Sequence, residues 1–338
     1  MAQFKSMDEM TSLQLAKGEG VRVEENEIPN FLKTCYSLKP GKLKMPELTW
    51  KFLIRNVLRG KNILLVGPSG CAKTMAAHAV EQALKRPFFS IPVGSTQDPR
   101  SALIGNQHYS KEKGTYFAQS YFVEAISTPN SIVLLDELSR AHPEAWNLLM
   151  PVLDFTQRYL RLEEKEDGAT VQVADGVSFI ATANIGSEYT STRVLDRALV
   201  DRFVIVEMTP LEQPEEWELL REIYPSVNVE TLKALSSISA QTRTESGTEG
   251  SKLTTAISTR LSVETAGLLQ DGFGLLEAAE VSIFPFFSQD GGNDSERTYV
   301  KQLVQKYINP EPEPVAAPTP TNESDILFTE EDIKSATP

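Results

Sequence analysis

Five short apolar runs punctuate the first two thirds of the chain: 63–66, Phe88 to Val93, Ile132 to Leu135, Val177 to Ala183 and Phe203 to Val206. Stretches with helical spacing separate most of them. That alternation predicts a parallel sheet with helices on both faces. Pro46 to Arg59 reads as a helix, with Pro in its first turn and Gly60 as its stop. Leu48, Phe52, Leu53, Val57 and Leu58 form its expected apolar face.

Two insertions interrupt the pattern. One spans Gln107 to Tyr121 and carries Lys113-Gly114; the other spans Tyr159 to Val173 with Asp167-Gly168 at its middle. Asp-Gly between segments of strand-like alternation predicts a hairpin. After Pro210 the spacing turns helical, over 213–223, about 228–241, 257–270, 274–286 and 296–308. The Ser/Thr/Gly-rich stretch 242–251 reads as a mobile loop. There is no internal repeat. The expected organisation is a flexible arm over 1–27, an α/β core over 28–209, a smaller all-helical lid over 210–308 and an acidic, proline-rich disordered tail over 309–338. Within the tail, Asp325 to Ile333 is a candidate partner-binding helix.

Composition narrows the class. A chain of 338 residues buries a substantial core. No apolar run approaches the length of a membrane span, and the polar N-terminus does not read as a signal peptide. The two cysteines, Cys35 and Cys71, make a disulfide framework implausible and point to a reducing, cytoplasmic setting. His78, His108 and His142 have no metal-ligand spacing. Net charge is −13, and the tail's seven acids and single base account for six of those charges. The acidic body has no general attraction for nucleic acid. Locally, Lys33, Lys39, Lys42, Lys44, Lys51, Arg55, Arg59 and Lys61 face only Glu47, which suits a solvated face beside an anionic nucleotide.

The chemistry begins at Gly67-Pro68-Ser69-Gly70-Cys71-Ala72-Lys73-Thr74, between an apolar run and a helix-compatible run that opens at Met75. A glycine-bearing turn between strand and helix lets the backbone bend around phosphates, and the helix start aims unpaired N–H groups at them. Lys73 is expected to neutralise the β- and γ-phosphates and the Thr74 hydroxyl to hold Mg²⁺. Ala72 stands where glycine is usual, a methyl tolerable if that residue is already helical.

The third run delivers Asp136 and Glu137 at its end. Two acids at the end of a buried strand are costly unless they find work or partners. Asp136 is expected to hold Mg²⁺ through water, and Glu137 to orient and deprotonate the attacking water. Ala181-Thr182-Ala183-Asn184 closes the next run, and the Asn184 amide is placed to contact the γ-phosphate and that water. Arg197 and Arg202 flank Leu199-Val200 and offer permanent charge for a phosphoryl transition state, the alternative being an Asp–Arg surface pair. Ser258-Thr259-Arg260 opens a helix, and a cation in a first turn opposes the helix dipole, so Arg260 answers to an anion elsewhere.

These residues, in this order, resemble the AAA+ ATPase superfamily, and within it the MoxR type with its CbbQ, NorQ and CobS-like groups, over roughly residues 28 to 308. The resemblance implies a P-loop nucleotide-binding fold with a helical lid, ATP and Mg²⁺ as ligands, and nucleotide contacts from Gly67 through Met75. It implies that Asn184 is sensor 1, Arg202 the arginine finger with Arg197 a second candidate, and Arg260 the sensor 2 arginine. The two insertions look like the helix-2 insert and the pre-sensor hairpin of that clade, which face a central pore. It further implies a homo-oligomeric, hexameric ring that remodels or activates a protein client, with a partner carrying a von Willebrand factor A domain. Ala72 is shared with minichromosome maintenance helicases of the same clade.

Three functions compete at this level. An ATP-hydrolysing, protein-remodelling ring leads. A nucleic-acid translocase gains from the basic segment and from Lys111, Lys113 and Lys165 in the insertions, but Glu163, Glu164, Glu166 and Asp167 crowd the second hairpin. A nucleotide-gated scaffold conflicts with the intact Glu137, Asn184 and Arg202 set.

Overall fold

The structure, a computed structural model, describes residues 20–308 except 113, 166, 167, 185–192 and 249. Residues 1–19 of the expected arm and the whole tail, including its candidate helix, lie outside the described residues, as do Lys113 and Asp167 of the two expected turns.

Five parallel strands, β1 (Ile63–Val66), β2 (Phe88–Ile91), β5 (Ile132–Leu135), β8 (Ser178–Ala183) and β9 (Val204–Glu207), form a sheet in the order β2-β5-β8-β1-β9. Each interior strand is apolar at nearly every position because both of its faces are covered. Leu64 and Val66 enter one core with Val133, Leu135, Phe179 and Ala181. Ile63 and Leu65 enter the other with Ile132, Leu134 and Ile180. A period of two thus splits one strand between two cores, and each fully buried Leu or Ile contributes roughly 1.5–3 kcal/mol.

Helices α1 (Ile28–Thr34), α2 (Glu47–Leu58) and α3 (Lys73–Leu84) join the second core. The face expected for α2 is rotated. Trp50, Leu53, Ile54 and Val57 are buried, and Leu48 is 79% exposed with Phe52 beside it in solvent. Trp50 decides the rotation, because its indole N–H reaches the Cys35 carbonyl (2.8 Å) and anchors the helix to the preceding turn. Residues 20–27 are docked, unlike the free arm expected to 27. Val21 is buried, its N–H donates to the Leu84 carbonyl (2.7 Å), and Arg86 donates to its carbonyl (3.2 Å).

Helix α4 (Pro99–Leu103) leads into a hairpin of β3 (Gly105–Ser110) and β4 (Gly114–Gln119), followed by α5 (Tyr121–Ser127). Helix α6 (Pro143–Leu153) precedes a second, shorter hairpin of β6 (Tyr159–Arg161) and β7 (Thr170–Gln172). Both insertions are therefore antiparallel hairpins outside the main sheet. A single turn, α7 (Arg197–Val200), precedes β9.

The remaining helices, α8 (Gln213–Ile223), α9 (Val229–Ser246), α10 (Thr259–Gln270), α11 (Leu275–Ser282) and α12 (Glu296–Ile308), enclose a third core of their own. Here the mobile loop expected over 242–251 is overturned in its first half. Helix α9 continues to Ser246 because Thr242 is buried and takes the Ile257 N–H (3.0 Å), and Arg243 is fixed beyond it. Arg243 donates to the Ile257 and Leu211 carbonyls (2.9 and 2.8 Å) and forms a 2.8 Å ion pair with the fully buried Glu216 of α8. Helix α11 ends at Ser282, earlier than expected, and Phe284–Phe286 forms a separate 3-10 turn with Pro285 at its second position.

Candidate functional site

The C-terminal ends of β1, β5 and β8 open on one cleft of about 470 Å³, within the roughly 300–1,000 Å³ of small-molecule sites. Ligands of open parallel sheets bind at this edge. The loop Ser69–Thr74 and Met75 line it, together with Asp136, Glu137, Thr182, Asn184 and Arg260. Gly67 and Pro68 carry the loop in from β1. Residues from four separate stretches of sequence thus converge on a single space.

Lys73 opens α3 and is 8% exposed. Its ammonium donates to neutral acceptors, the carbonyls of Gly67 (2.9 Å) and Pro68 (2.6 Å). Burial is the main force lowering its pKa below the ordinary lysine value, and the Arg260 charge adds to it, while Cys71 and Asp136 act in the opposite sense. A desolvated cation with a second cation nearby is an arrangement that an anion relieves. Gly70 is left-handed (φ 78°), and a Cβ there would come within 2.7 Å of Ser258 Cβ at the start of α10. Only glycine lets the loop meet the lid so closely.

Ala72 is not helical. It sits in the left-handed region (φ 64°, ψ 24°) as the residue before α3, so its methyl is strained where the sequence suggested it would be free. The Cys71 thiol is buried, its pKa raised by desolvation, and donates to the Pro68 carbonyl (3.0 Å).

Asp136 is built into a network. The Thr74 hydroxyl donates to its Oδ1 at 3.1 Å, and the Thr182 hydroxyl donates to the same oxygen at 2.6 Å. Thr182 in turn accepts the Glu137 N–H at 2.8 Å. Glu137 occupies the left-handed region (φ 57°), and its carboxylate lies 3.4 Å from Arg140. Such a backbone is stable only where its surroundings over-determine it, and Thr182 is one of the groups that does so. Asn184 lines the cleft, its N–H 3.3 Å from the Ser139 hydroxyl. Thr74 and Asp136 are oxygen donors at one point beside the buried ammonium, a set that suits Mg²⁺ accompanying a nucleotide.

Arg202 stands apart from the cleft. Its guanidinium donates to the Ala198 carbonyl and to Asp154 (3.2 Å), at the end of α6, so the ion-pair partner is not the adjacent Asp201. Its Nε is buried without a partner. Arg197 is exposed in the first position of α7.

Several contributors escaped the sequence reading. Thr182 was visible only as a hydroxyl in an apolar strand, and Ser139 only as part of a charged turn. Lys42, Lys44, Met45, Pro46 and Thr49 also line the cleft, as do Leu211, Leu219 and Ile223 of the lid. Lys44 also joins Glu222 of α8 at 2.8 Å, a bridge between the two halves. Two members of the basic segment therefore do border the candidate nucleotide space. The acids Glu163 and Glu164 of the second hairpin are both paired with Arg100 (2.7 Å each), so they repel phosphate less than their number suggested. Among the described residues no helix is long and apolar enough to cross a membrane, and no His/Cys/Asp/Glu cluster forms a separate metal site.

An AAA domain model (dynein-related subfamily) matches residues 62–203, and a CbbQ/NirQ/NorQ C-terminal model matches residues 216–306. A putative chaperone, BssE of Thauera aromatica, is 34% identical over 163 residues, 48% of this chain and 54% of its own. An uncharacterized protein of Staphylococcus saprophyticus is 31% identical over 151 residues, 44% of this chain and 55% of its own. A mitochondrial Lon protease homolog of Dictyostelium discoideum is 27% identical over 190 residues, 55% of this chain but 19% of its own. The chain thus spans about half the length of the first of these relatives. A closed-state reconstruction of Hsp104 with ATPγS and casein aligns with TM-score 0.47 at 16% identity, covering 64% of this chain and 45% of that one. An AAA domain and a CbbQ/NirQ/NorQ-type C-terminal domain in one polypeptide, with similarity to a putative chaperone, support a MoxR-type AAA+ ATPase.

Proposed function

We propose that this chain hydrolyses ATP in the presence of Mg²⁺ as part of a homo-oligomeric ring, and that it uses the energy to remodel or activate a protein client. The observation that carries the reading is the buried Lys73 ammonium, held by the Gly67 and Pro68 carbonyls and the Cys71 thiol of its own loop, beside the Thr74–Asp136 pair. Lys73 and the loop N–H groups bind the phosphates, and Arg260 adds charge from the lid. Thr74 and Asp136 would hold Mg²⁺, which would supply charge neutralisation to the phosphates. Glu137 takes a proton from the attacking water as its oxygen bonds to the γ-phosphorus and the bond to the β,γ-bridging oxygen breaks. Asn184 orients that water. Arg202, placed away from its own cleft, serves the nucleotide of an adjacent subunit. Similarity to the putative chaperone BssE of Thauera aromatica supports the protein-client reading, and a partner with a von Willebrand factor A domain fits the same family.

Lys73→Ala is the direct test. At ligand one hundred times its Kd, wild-type protein gains about 2.7 kcal/mol of stability from binding, read as a thermal shift with ATPγS. The variant is expected to show none while unfolding normally without ligand. An undiminished shift would remove the loop assignment. Glu137→Gln should then trap nucleotide and client, and what co-purifies with it identifies the client.

Pairing of Glu163 and Glu164 with Arg100 favours one further comparison, with DNA. Net charge still argues for no affinity tighter than roughly 10⁻⁴–10⁻⁶ M, the ordinary non-specific range. ATPase activity stimulated many-fold by DNA would replace the protein client with a nucleic acid.

A further inference from the structure

Arg100, in the first turn of α4, reaches carboxylates on two other elements. Its Nε donates to Glu164 Oε1 at 2.7 Å and one terminal nitrogen to Glu163 Oε2 at 2.7 Å, both in the second hairpin just after β6. The other terminal nitrogen lies 3.7 Å from Glu144 Oε1 in the first turn of α6. A planar guanidinium can fork between carboxylates in this way, and an ammonium cannot. Gln107 of β3 adds a bond from its Nε2 to the Glu164 carbonyl (3.3 Å). One side chain therefore ties the root of the first hairpin to the connecting loop of the second.

Both sides of that clasp lead back to the acids of the cleft by short routes. Upstream of Arg100, the Gly94 N–H donates to the Asp136 carbonyl (3.2 Å). A Cβ on Gly94 would collide with Glu137, so the two segments lie in direct contact. Asp98 then caps α4, accepting the Ser101 N–H (3.1 Å). Downstream, Glu137 opens the 3-10 turn Leu138–Arg140, the Trp146 indole of α6 ties to the Leu138 carbonyl (3.0 Å), and Glu144 stands one residue inside α6. A displacement of Asp136–Glu137 enters Arg100 through its own chain and through Glu144.

We propose that Arg100 is a positioning residue that transmits the nucleotide state of the Asp136–Glu137 segment to the second hairpin, so that both inserted hairpins move as one body. This rests on the nucleotide-site reading above. Arg100 touches neither nucleotide nor water in that reading, and its ion pairs are only half-buried, so its removal costs the fold little. A purely structural pair and a transmitter then differ in what they predict. Loss of the former speeds hairpin exchange equally in every nucleotide state, whereas loss of the latter erases the difference between states.

The experiment uses the full chain as wild type, Arg100→Gln, and Glu163→Gln/Glu164→Gln, which breaks the same contact from the other side if either variant folds poorly. Calorimetry gives the ATPγS and ADP affinities, and hydrogen–deuterium exchange follows the amides of Tyr159–Arg161 and Thr170–Gln172 in each state. In wild type the two states should differ by about fivefold or more in exchange rate at these strands. In both variants nucleotide affinity is expected to stay within about twofold, while the difference between states collapses to less than about twofold. A wild-type difference that survives in the variants overturns the proposal, as does its absence from wild type with nucleotide bound. Failure of wild type to bind nucleotide would instead remove the functional reading, and this inference with it.

Discussion

At the scale of single residues, Thr182 and Ala72 carry the sharpest consequences. Thr182 holds Asp136 with its hydrogen and Glu137 with its lone pair, so one hydroxyl sets both acids. Thr182→Val keeps the shape and removes both bonds. Hydrogen bonds to charged groups contribute about 1.5–3 kcal/mol, so kcat should fall roughly 10- to 100-fold. Nucleotide affinity measured without turnover should change little, since the phosphate contacts lie on the other strand. A turnover number like wild type would mean that the acids are positioned by their backbones alone. Ala72 is held at φ 64°, where a Cβ is disfavoured. Ala72→Gly is expected to raise stability in urea by about 1 kcal/mol, the relief of left-handed strain less the extra freedom of the unfolded chain. Destabilisation would instead show that the methyl packs against the second core, where Ala72 borders the cluster.

Among the elements, the lid depends on the pair between α8 and α9. Glu216 is 0% exposed, and Arg243 joins it while also satisfying the carbonyls of Leu211, ahead of α8, and Ile257, ahead of α10. Removing one member of a buried pair strands the other, at about 3–5 kcal/mol. Arg243→Ala should therefore lower the unfolding free energy by that order, seen as an early lid transition in denaturant melts. Adding Glu216→Leu should recover part of the loss, because no orphan carboxylate remains. If the double variant is no better than the single, the carbonyl contacts of Arg243 matter more than the pair. The same contacts explain why α9 runs past the point where its composition turns to Ser, Thr and Gly: tertiary partners outweigh weak helix propensity.

For the molecule as a whole, the position of Arg202 matters most. It lies outside the cleft of its own chain, held by Asp154 and the Ala198 carbonyl. If it serves a neighbour, Glu137→Gln and Arg202→Ala should each be nearly inactive, with Arg202→Ala still binding nucleotide. Arginine fingers contribute roughly 10³–10⁵ in rate in well-studied phosphoryl transfer, so the loss is easily measured. Mixing the two variants creates interfaces with an intact Glu137 from one and an intact Arg202 from the other, and part of the activity should return. Demonstrated subunit exchange without recovery would place Arg202 in its own site or require every site intact. Full activity of Arg202→Ala alone would reduce it to the Asp154 pair.

What the sequence determined by itself was the set of strongly periodic or chemically distinctive features. Buried parallel strands must be apolar, so the five strands were legible to within two residues at their ends. Phosphate binding needs a glycine-bearing turn with Lys-Thr at a helix start, so Lys73 and Thr74 were legible, and acids at the end of a buried strand marked Asp136 and Glu137. Tertiary structure alone decided matters that depend on what lies opposite a residue. Which face of α2 is buried turned on the Trp50 contact with Cys35. The backbone of Ala72 was set by the turn it closes, and the role of Thr182 by a strand 46 residues away from Asp136. Arg100 looked like one more surface cation until the fold set Glu163, Glu164 and Glu144 around it. Spacing along the chain records local periodicity, whereas hydrogen bonds between distant strands and ion pairs across insertions exist only after the chain has folded.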